Sequence, residues 1–281
     1  MSLTVLNPYD LSPLATLELH SSVDAKEMLS NAVQLFENPD KWLSASERIA
    51  ILKRLIVLMQ NQEAELAQQI AEEGGKPLKD AKAEAARAIN GIEKAIEALG
   101  DLKGQEIPMN LNPASDGKLA FTVREPAGVV IAVSAFNHPL NLIVHQVIPA
   151  IAVGCPIIVK PARATPLSCL KLSELLEKAG LPKDWCQVCL CDGKVATELV
   201  TSSEISFFSF IGSANVGWSL KSQLAPGVHC ALEHGGVAPV IVDQSADIEA
   251  MIPKLVKGGF FHAGQVCVSV QRVYCSQESA R

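Results

Sequence analysis

Cys267 is the residue of this sequence best suited to covalent chemistry. It lies in Gly264-Gln265-Val266-Cys267, behind a Gly-rich segment of helical period and ahead of an expected strand at residues 270–275, and the small residues around it leave room for a substrate. A cysteine is a nucleophile only where its pKa is lowered and a base is positioned beside it; elsewhere it is a small buried hydrophobe. The candidate base is Glu233, in Ala231-Leu232-Glu233-His234-Gly235-Gly236. It stands at an apolar strand end, where a buried, unpaired carboxylate is costly unless it is hydrogen-bonded or takes part in a reaction. Asn137, in Ser134-Ala135-Phe136-Asn137-His138-Pro139, follows another apolar strand. Its amide could donate to an oxyanion, although Asn-His-Pro is also a good helix cap and turn. Lys160, in Lys160-Pro161-Ala162, ends the next strand in the equivalent position, where it could reach a ribose or phosphate or simply be solvated.

The dinucleotide fingerprint G-x-G-x-x-G is absent. Gly212-Ser213-Ala214-Asn215-Val216-Gly217 nonetheless reads as strand, Gly-Ser turn and helix start, where free backbone N–H groups and the helix dipole favour a phosphate; an ordinary βα turn has the same signature. Cys186, Cys189 and Cys191 form C-x2-C-x-C, but no second Cys or His pair at zinc spacing accompanies them, and positions 189 and 191 would share one strand face. They read as core thiols, and no metal site is expected. Of the histidines, His138 alone is expected near the reactive residues.

The elements that must position these groups alternate. Residues 128–133, 156–160, 185–191, 205–211 and 238–242 are short apolar runs, with segments of helical period between them. Strand and helix in repetition imply right-handed βαβ units and a doubly wound parallel α/β sheet of Rossmann-like type, whose ligands sit beyond the carboxyl ends of the strands. Ahead of it come one or two short strands within residues 3–19. A helix follows from the possible capping box Ser44-Ala45-Ser46-Glu47, with Ile49, Leu52, Ile56, Met59, Leu66 and Ile70 as one stripe ended by Gly74-Gly75, and a second helix spans 78–99. Residues 105–125 lose the helical period and gain Pro, Asn and Gly, as a protruding hairpin would.

The composition narrows the partners. With 281 residues, 48% hydrophobic, a net charge of −6 and no long Lys/Arg cluster, the chain reads as globular and gives no footprint for nucleic acid. No apolar run is long enough to span a membrane, and no signal peptide precedes the eight cysteines, so reduced thiols and a cytoplasmic location are expected.

These motifs together resemble the aldehyde dehydrogenase superfamily. Phe136-Asn137-His138-Pro139 is similar to its oxyanion asparagine segment, Lys160-Pro161-Ala162 to its ribose-binding lysine, and Phe210-Ile211-Gly212-Ser213 with Val216-Gly217 to its pyrophosphate turn. Glu233-His234-Gly235-Gly236 resembles the glutamate-Gly-Gly element and Gly264-Gln265-Val266-Cys267 the nucleophile element. Asn7-Pro8-Tyr9-Asp10, Glu47-Arg48 through Leu52, and Gly75-Lys76-Pro77-Leu78 match N-terminal elements, so the likeness runs along essentially the whole chain in order.

The resemblance implies an NAD- or NADP-dependent oxidation of an aldehyde to the acid through a thiohemiacetal and a thioester. Cys267 would be the nucleophile, Asn137 with the Cys267 N–H the oxyanion hole, and Glu233 the base for deacylation. Phe136, Lys160, Ala162, Arg163, Gly212, Ser213, Val216 and Gly235 would contact the cofactor. It also implies an NAD(P)-binding domain at residues 1–104 and 126–236, an oligomerisation hairpin at 105–125, the start of a catalytic domain at 237–281, and a homodimer or homotetramer. The family usually has Leu at the place of His234 and Lys at that of Val237. Arg163 stands where many NAD-using members carry a glutamate for the adenosine ribose, which implies that NADP is tolerated. Against the family's length the chain is expected to be truncated soon after Cys267, at Arg281. The alternative expectation is therefore a nucleotide-binding module without turnover of its own.

Overall fold

The computed structural model describes residues 1–276; residues 277–281, at the end of the expected catalytic segment, lie outside the described residues. Strands β1 (Ser2–Leu6) and β2 (Pro13–Glu18) pair antiparallel around the Asn7–Asp10 turn, where Asn7 Oδ1 accepts from the Tyr9 N–H at 3.0 Å. Helices α1 (Ser22–Phe36), α2 (Ala45–Asn61), α3 (Glu63–Gly74) and α4 (Leu78–Ala98) follow. The Ser44 box forms: Glu47 Oε2 accepts from the Ser44 N–H at 2.7 Å while Ser44 Oγ accepts from the Glu47 N–H at 3.3 Å.

The single stripe expected from Ile49 to Ile70 is divided. The backbone at Gln62 leaves the helical region (φ −117°, ψ 18°), so α3 sets off anew. On α2 the buried residues are Ile51, Leu52, Leu55 and Met59, with Ile49 and Ile56 only half-covered, because α4, α5 (Asn141–Val153) and α6 (Leu167–Lys178) together define the buried arc. Beyond α4, β3 (Glu106–Ile107) and β4 (Ala120–Phe121) form an antiparallel hairpin outside the main sheet.

The main sheet is built from β5 (Val130–Val133), β6 (Ile157–Lys160), β7 (Cys186–Val188), β8 (Phe207–Ile211) and β9 (His229–Glu233). They run parallel in the order β7-β6-β5-β8-β9, with α7 (Gly193–Val200) and α8 (Ala214–Lys221) making the later crossovers. The apolar run at 238–242 is not the fifth strand. Its core, β10 (Val240–Ile241), pairs in parallel with β11 (Val273–Tyr274) across helix α9 (Ile248–Phe260), and β9 takes the sheet edge.

Alternate strand residues feed two cores. Val130, Ala132, Ile157 and Val159 face α2 to α6, while Ile131, Ile158, Phe208 and Phe210 face α1, α7 and α8. Cys189 and Cys191, just past β7, are buried in the second core. The winding reverses between β5 and β8, which places a crevice at their carboxyl ends. Among the described residues no helix is long and apolar enough to cross a membrane.

Candidate active site

Adjacent strands whose connections leave in opposite directions open a gap, and α5 bridges it from below. The Gln146 amide nitrogen donates to Val133 O at 3.3 Å and to Ser209 O at 3.2 Å, tying the end of β5 to β8. Above this tie the chain turns through Asn137 and His138 into α5. That helix has no side-chain cap of its own. Its free N–H groups at Leu140 and Asn141 instead donate to Glu84 Oε1 at 3.0 and 3.1 Å, so a carboxylate from α4 caps it. Glu84 is buried and paired with Lys76. Burial alone would raise its pKa, but His138, the Lys76 ammonium and the Asn141 N–H outweigh it and hold the carboxyl below its ordinary range.

The nucleophile segment arrives from α9 through an unusual bend. His262, Ala263 and Gly264 all have left-handed φ, at 49°, 54° and 74°. Only the last is glycine, so the bend stores backbone strain. Gln265 N then donates to His262 O at 3.0 Å, and a β-turn closes from Ser269 N to Val266 O at 2.9 Å. Cys267 sits at the first corner of that turn with its side chain exposed. Asn137 reaches this segment directly: its Nδ2 donates to Gln265 O at 2.8 Å.

Glu233 comes to the same region through the backbone. The segment after β9 runs beside the one after Cys267, with Gln271 N on Val237 O at 3.0 Å and Gln271 Nε2 on Gly236 O at 3.0 Å. A Cβ at Gly236 would lie 2.9 Å from Cys267 O, so glycine is needed for this approach. The buried carboxylate expected at position 233 is not found. Glu233 is exposed, because β9 is an outer strand whose inward positions are Cys230 and Leu232.

The remaining expected residues line the neighbouring strand ends. Lys160 closes β6 half-buried, its Nζ donating to Pro161 O at 3.1 Å, and burial, opposed by Cys191 and aided by the Arg163 charge, pushes its pKa down. Arg163 is exposed on the turn closed by Thr165 N to Ala162 O at 3.2 Å, ahead of α6. Thr165 Oγ1 donates to Phe136 O at 3.2 Å, joining this turn to the Asn137 loop. Gly212 follows β8, Ser213 precedes α8 without capping it, and Val216 is half-exposed on its first turn. The first-turn N–H groups are therefore free for an anion. Gly235 is exposed beyond β9.

His138 is not the only histidine here. His262 lies against it with ring centroids 6.1 Å apart, and His234 packs between Phe210 and Trp218 at 6.1 and 5.7 Å. Lys76 was marked only as part of Gly75-Lys76-Pro77-Leu78, with no role at the site, and Glu84 and His262 were not marked by any motif. The surface hollows inside the hairpin and between Leu14 and α3 touch none of these residues.

Comparison with known proteins gives a consistent result. The family model described as "Aldehyde dehydrogenase family" matches residues 1–281. A 3-sulfolactaldehyde dehydrogenase of Priestia aryabhattai is 35% identical over 271 residues, covering 96% of this chain and 56% of the relative. A lactaldehyde dehydrogenase of Methanocaldococcus jannaschii is 34% identical over 281 residues, covering 98% and 59%. The crystal structure of an M. jannaschii glyceraldehyde-3-phosphate dehydrogenase complexed with NADP superposes with a TM-score of 0.92 at 34% identity, covering 99% of this chain and 60% of that one. The chain thus spans 56–60% of the length of these proteins.

Proposed function

The chain belongs to the aldehyde dehydrogenase family, and on that premise we propose that the whole protein oxidises an aldehyde to its carboxylic acid with NAD(P)+ through a thioester on Cys267. The observation that carries this reading is the hydrogen bond from Asn137 Nδ2 to Gln265 O at 2.8 Å, which holds the amide beside the turn bearing the exposed thiol. The Cys267 thiolate adds to the aldehyde carbon and the carbonyl electron pair moves onto oxygen. One amide hydrogen of Asn137 is taken by Gln265. The other, with the Cys267 N–H, is left to donate to the developing oxyanion.

Lys160, the free N–H groups after Ser213, and the apolar surfaces of Phe136 and Val216 fit a dinucleotide, while Arg163 fits a 2′-phosphate; Ala162 and Gly212 border the same strand ends, and Gly235 has open space beside it. When bound, the nicotinamide supplies the oxidising power by accepting hydride from the carbon held on Cys267. Glu233, open to water, then takes a proton from the water molecule that attacks the thioester carbon. The carbon–sulfur bond breaks, releasing acid and thiolate. Replacing Cys267 by Ala in the whole enzyme should abolish oxidation and leave NAD(P) affinity within about twofold; wild-type turnover by that variant would reject the assignment.

The relatives act on small polar aldehydes, among them 3-sulfolactaldehyde, lactaldehyde and succinate semialdehyde, and that broad class is the one proposed for this protein. The apolar side chains exposed on the hairpin, among them Leu119 and Phe121, support a homodimer or homotetramer joined there. Free cysteines throughout support a cytoplasmic setting.

A second reading applies to this length of chain by itself: it binds the nucleotide without turnover. The exposure of Cys267 and Glu233, and a helix α9 with no buried residue, favour it. Titration with NADP beside an assay of lactaldehyde separates the two readings.

A further inference from the structure

A group of titratable side chains that the proposed reaction does not use meets beneath the site. Lys76 and Glu84 pair with both side chains 1% exposed. Lys76 Nζ also lies 2.9 Å from His138 Nδ1. The same Nδ1 lies 3.3 Å from Glu84 Oε2, so the ring sits against both members of the ion pair. Glu84 completes its coordination with the N–H groups of Leu140 and Asn141, immediately past the Asn137-His138 turn. On the other side the His138 ring faces His262, tilted by 51°. His262 is 2% exposed and opens the left-handed bend.

The contacts close on themselves. Glu84 holds the Asn137 loop, His138 of that loop packs on His262, His262 O receives Gln265 N, and Gln265 O receives Asn137 Nδ2. A buried ion pair of this kind contributes little stability over an apolar replacement, so its place in the circuit argues for geometry rather than stability. His262 fills this place uncharged: burial, then the Lys76 ammonium and His138, lower its pKa to about 4, so the ring stays neutral against a cation.

We propose that Glu84 and His262 are positioning residues for the Cys267 site: Glu84, neutralised by Lys76, anchors the Asn137 loop, and the His262 ring, packed on His138, holds the bend that sets the amide against the nucleophile turn. This rests on the reading of Cys267 as nucleophile. Acylation of that thiol develops charge on a carbonyl oxygen and needs the amide in place, whereas alkylation is a displacement at carbon that does not.

The test compares the two reactions on the full chain, with p-nitrophenyl acetate as acyl donor and iodoacetamide as alkylating agent. Both are read at Cys267 and at the exposed Cys275 by peptide mass spectrometry. Lys76→Met/Glu84→Gln removes both buried charges together, so no unpaired ion prevents folding, and His262→Ala deletes the ring. A misplacement of about 1 Å costs on the order of a hundredfold, so each variant is expected to lose roughly tenfold to a hundredfold in Cys267 acylation, with alkylation within about twofold. His262→Phe, which keeps a ring on His138, should recover most of the loss. Unchanged acylation, or equal loss in both reactions, overturns the proposal. If the parent acylates Cys267 no faster than Cys275, the nucleophile reading itself falls, and the proposal with it.

Discussion

The side-chain amide of Asn137 donates to the carbonyl oxygen of Gln265 at 2.8 Å, joining loops 128 positions apart. The bond restrains Asn137 to one orientation and ties the nucleophile turn to the end of β5. Asn137→Asp is nearly isosteric but turns an acceptor toward the Gln265 carbonyl, so the two loops should separate. Loss of one oxyanion donor costs about a hundredfold to a thousandfold, and the same fall is expected for acylation of Cys267 in Asn137→Asp and Asn137→Ala. NADP affinity should change little. Acylation at parental rates in Asn137→Ala would remove the amide from the mechanism.

Glu233 acts after acylation in the proposed sequence, and its exposure on the edge strand gives water free access. Glu233→Gln keeps size and hydrogen bonding but cannot accept a proton. The burst of p-nitrophenolate from p-nitrophenyl acetate should persist in this variant, while the following steady rate drops by roughly a hundredfold or more. A burst and a steady rate slowed by the same factor would argue that Glu233 shapes the site rather than serving as its base.

What could be read along the chain and what could not divides by distance. The Ser44–Glu47 box was legible because both partners lie within one helical turn, and the β5, β6 and β8 runs because a strand buried on both faces must be apolar. Glu73 and Glu84 were not, since on α3 and α4 they resemble any solvated helix charge. Only in the fold do they meet helices α6 and α5, with Leu167 N 94 positions from Glu73 and Leu140 N 56 from Glu84. The break at Gln62 was hidden because the apolar spacing continues across it. The exposure of Glu233 was hidden because β9 alternates weakly and its edge position follows from pairing order, which no local pattern encodes.

Arg163 is exposed on the turn after β6, close enough for its charge to bear on Lys160 after the larger effect of burial. A guanidinium there can pair with a 2′-phosphate. A charge-assisted hydrogen bond contributes about 1.5–3 kcal/mol, so Arg163→Glu should swing the ratio of NADP to NAD dissociation constants by roughly tenfold to a hundredfold or more in favour of NAD. Calorimetric titration of both nucleotides measures it. A parent that clearly prefers NAD, or a ratio unmoved in the variant, would place Arg163 outside the cofactor site.

Glu73 makes the pH dependence of stability testable. Its carboxylate accepts from Leu167 N at 2.7 Å and Ser168 N at 2.8 Å, capping α6 as Glu84 caps α5. Burial outweighs those bonds and the Ser168 hydroxyl, with Glu84 adding repulsion, and raises its pKa from 4.5 to about 7. Between those values the folded chain holds a proton that the unfolded chain has released, so this group's contribution to stability is full below about pH 4.5 and is lost as pH rises through about 7. At about 1.4 kcal/mol per tenfold in proton affinity, the loss amounts to roughly 3 kcal/mol. Other groups work in the opposite sense: the depressed pKa of His262 favours the folded chain as pH rises above about 4. The quantity to measure is therefore a difference. Urea unfolding of the parent and of Glu73→Gln at pH 5, 6, 7 and 8 should give a stability gap that moves in favour of the Gln variant with rising pH, because its amide has no proton to lose. A gap independent of pH would show that Glu73 is ionised throughout, its three hydrogen bonds having overcome its burial.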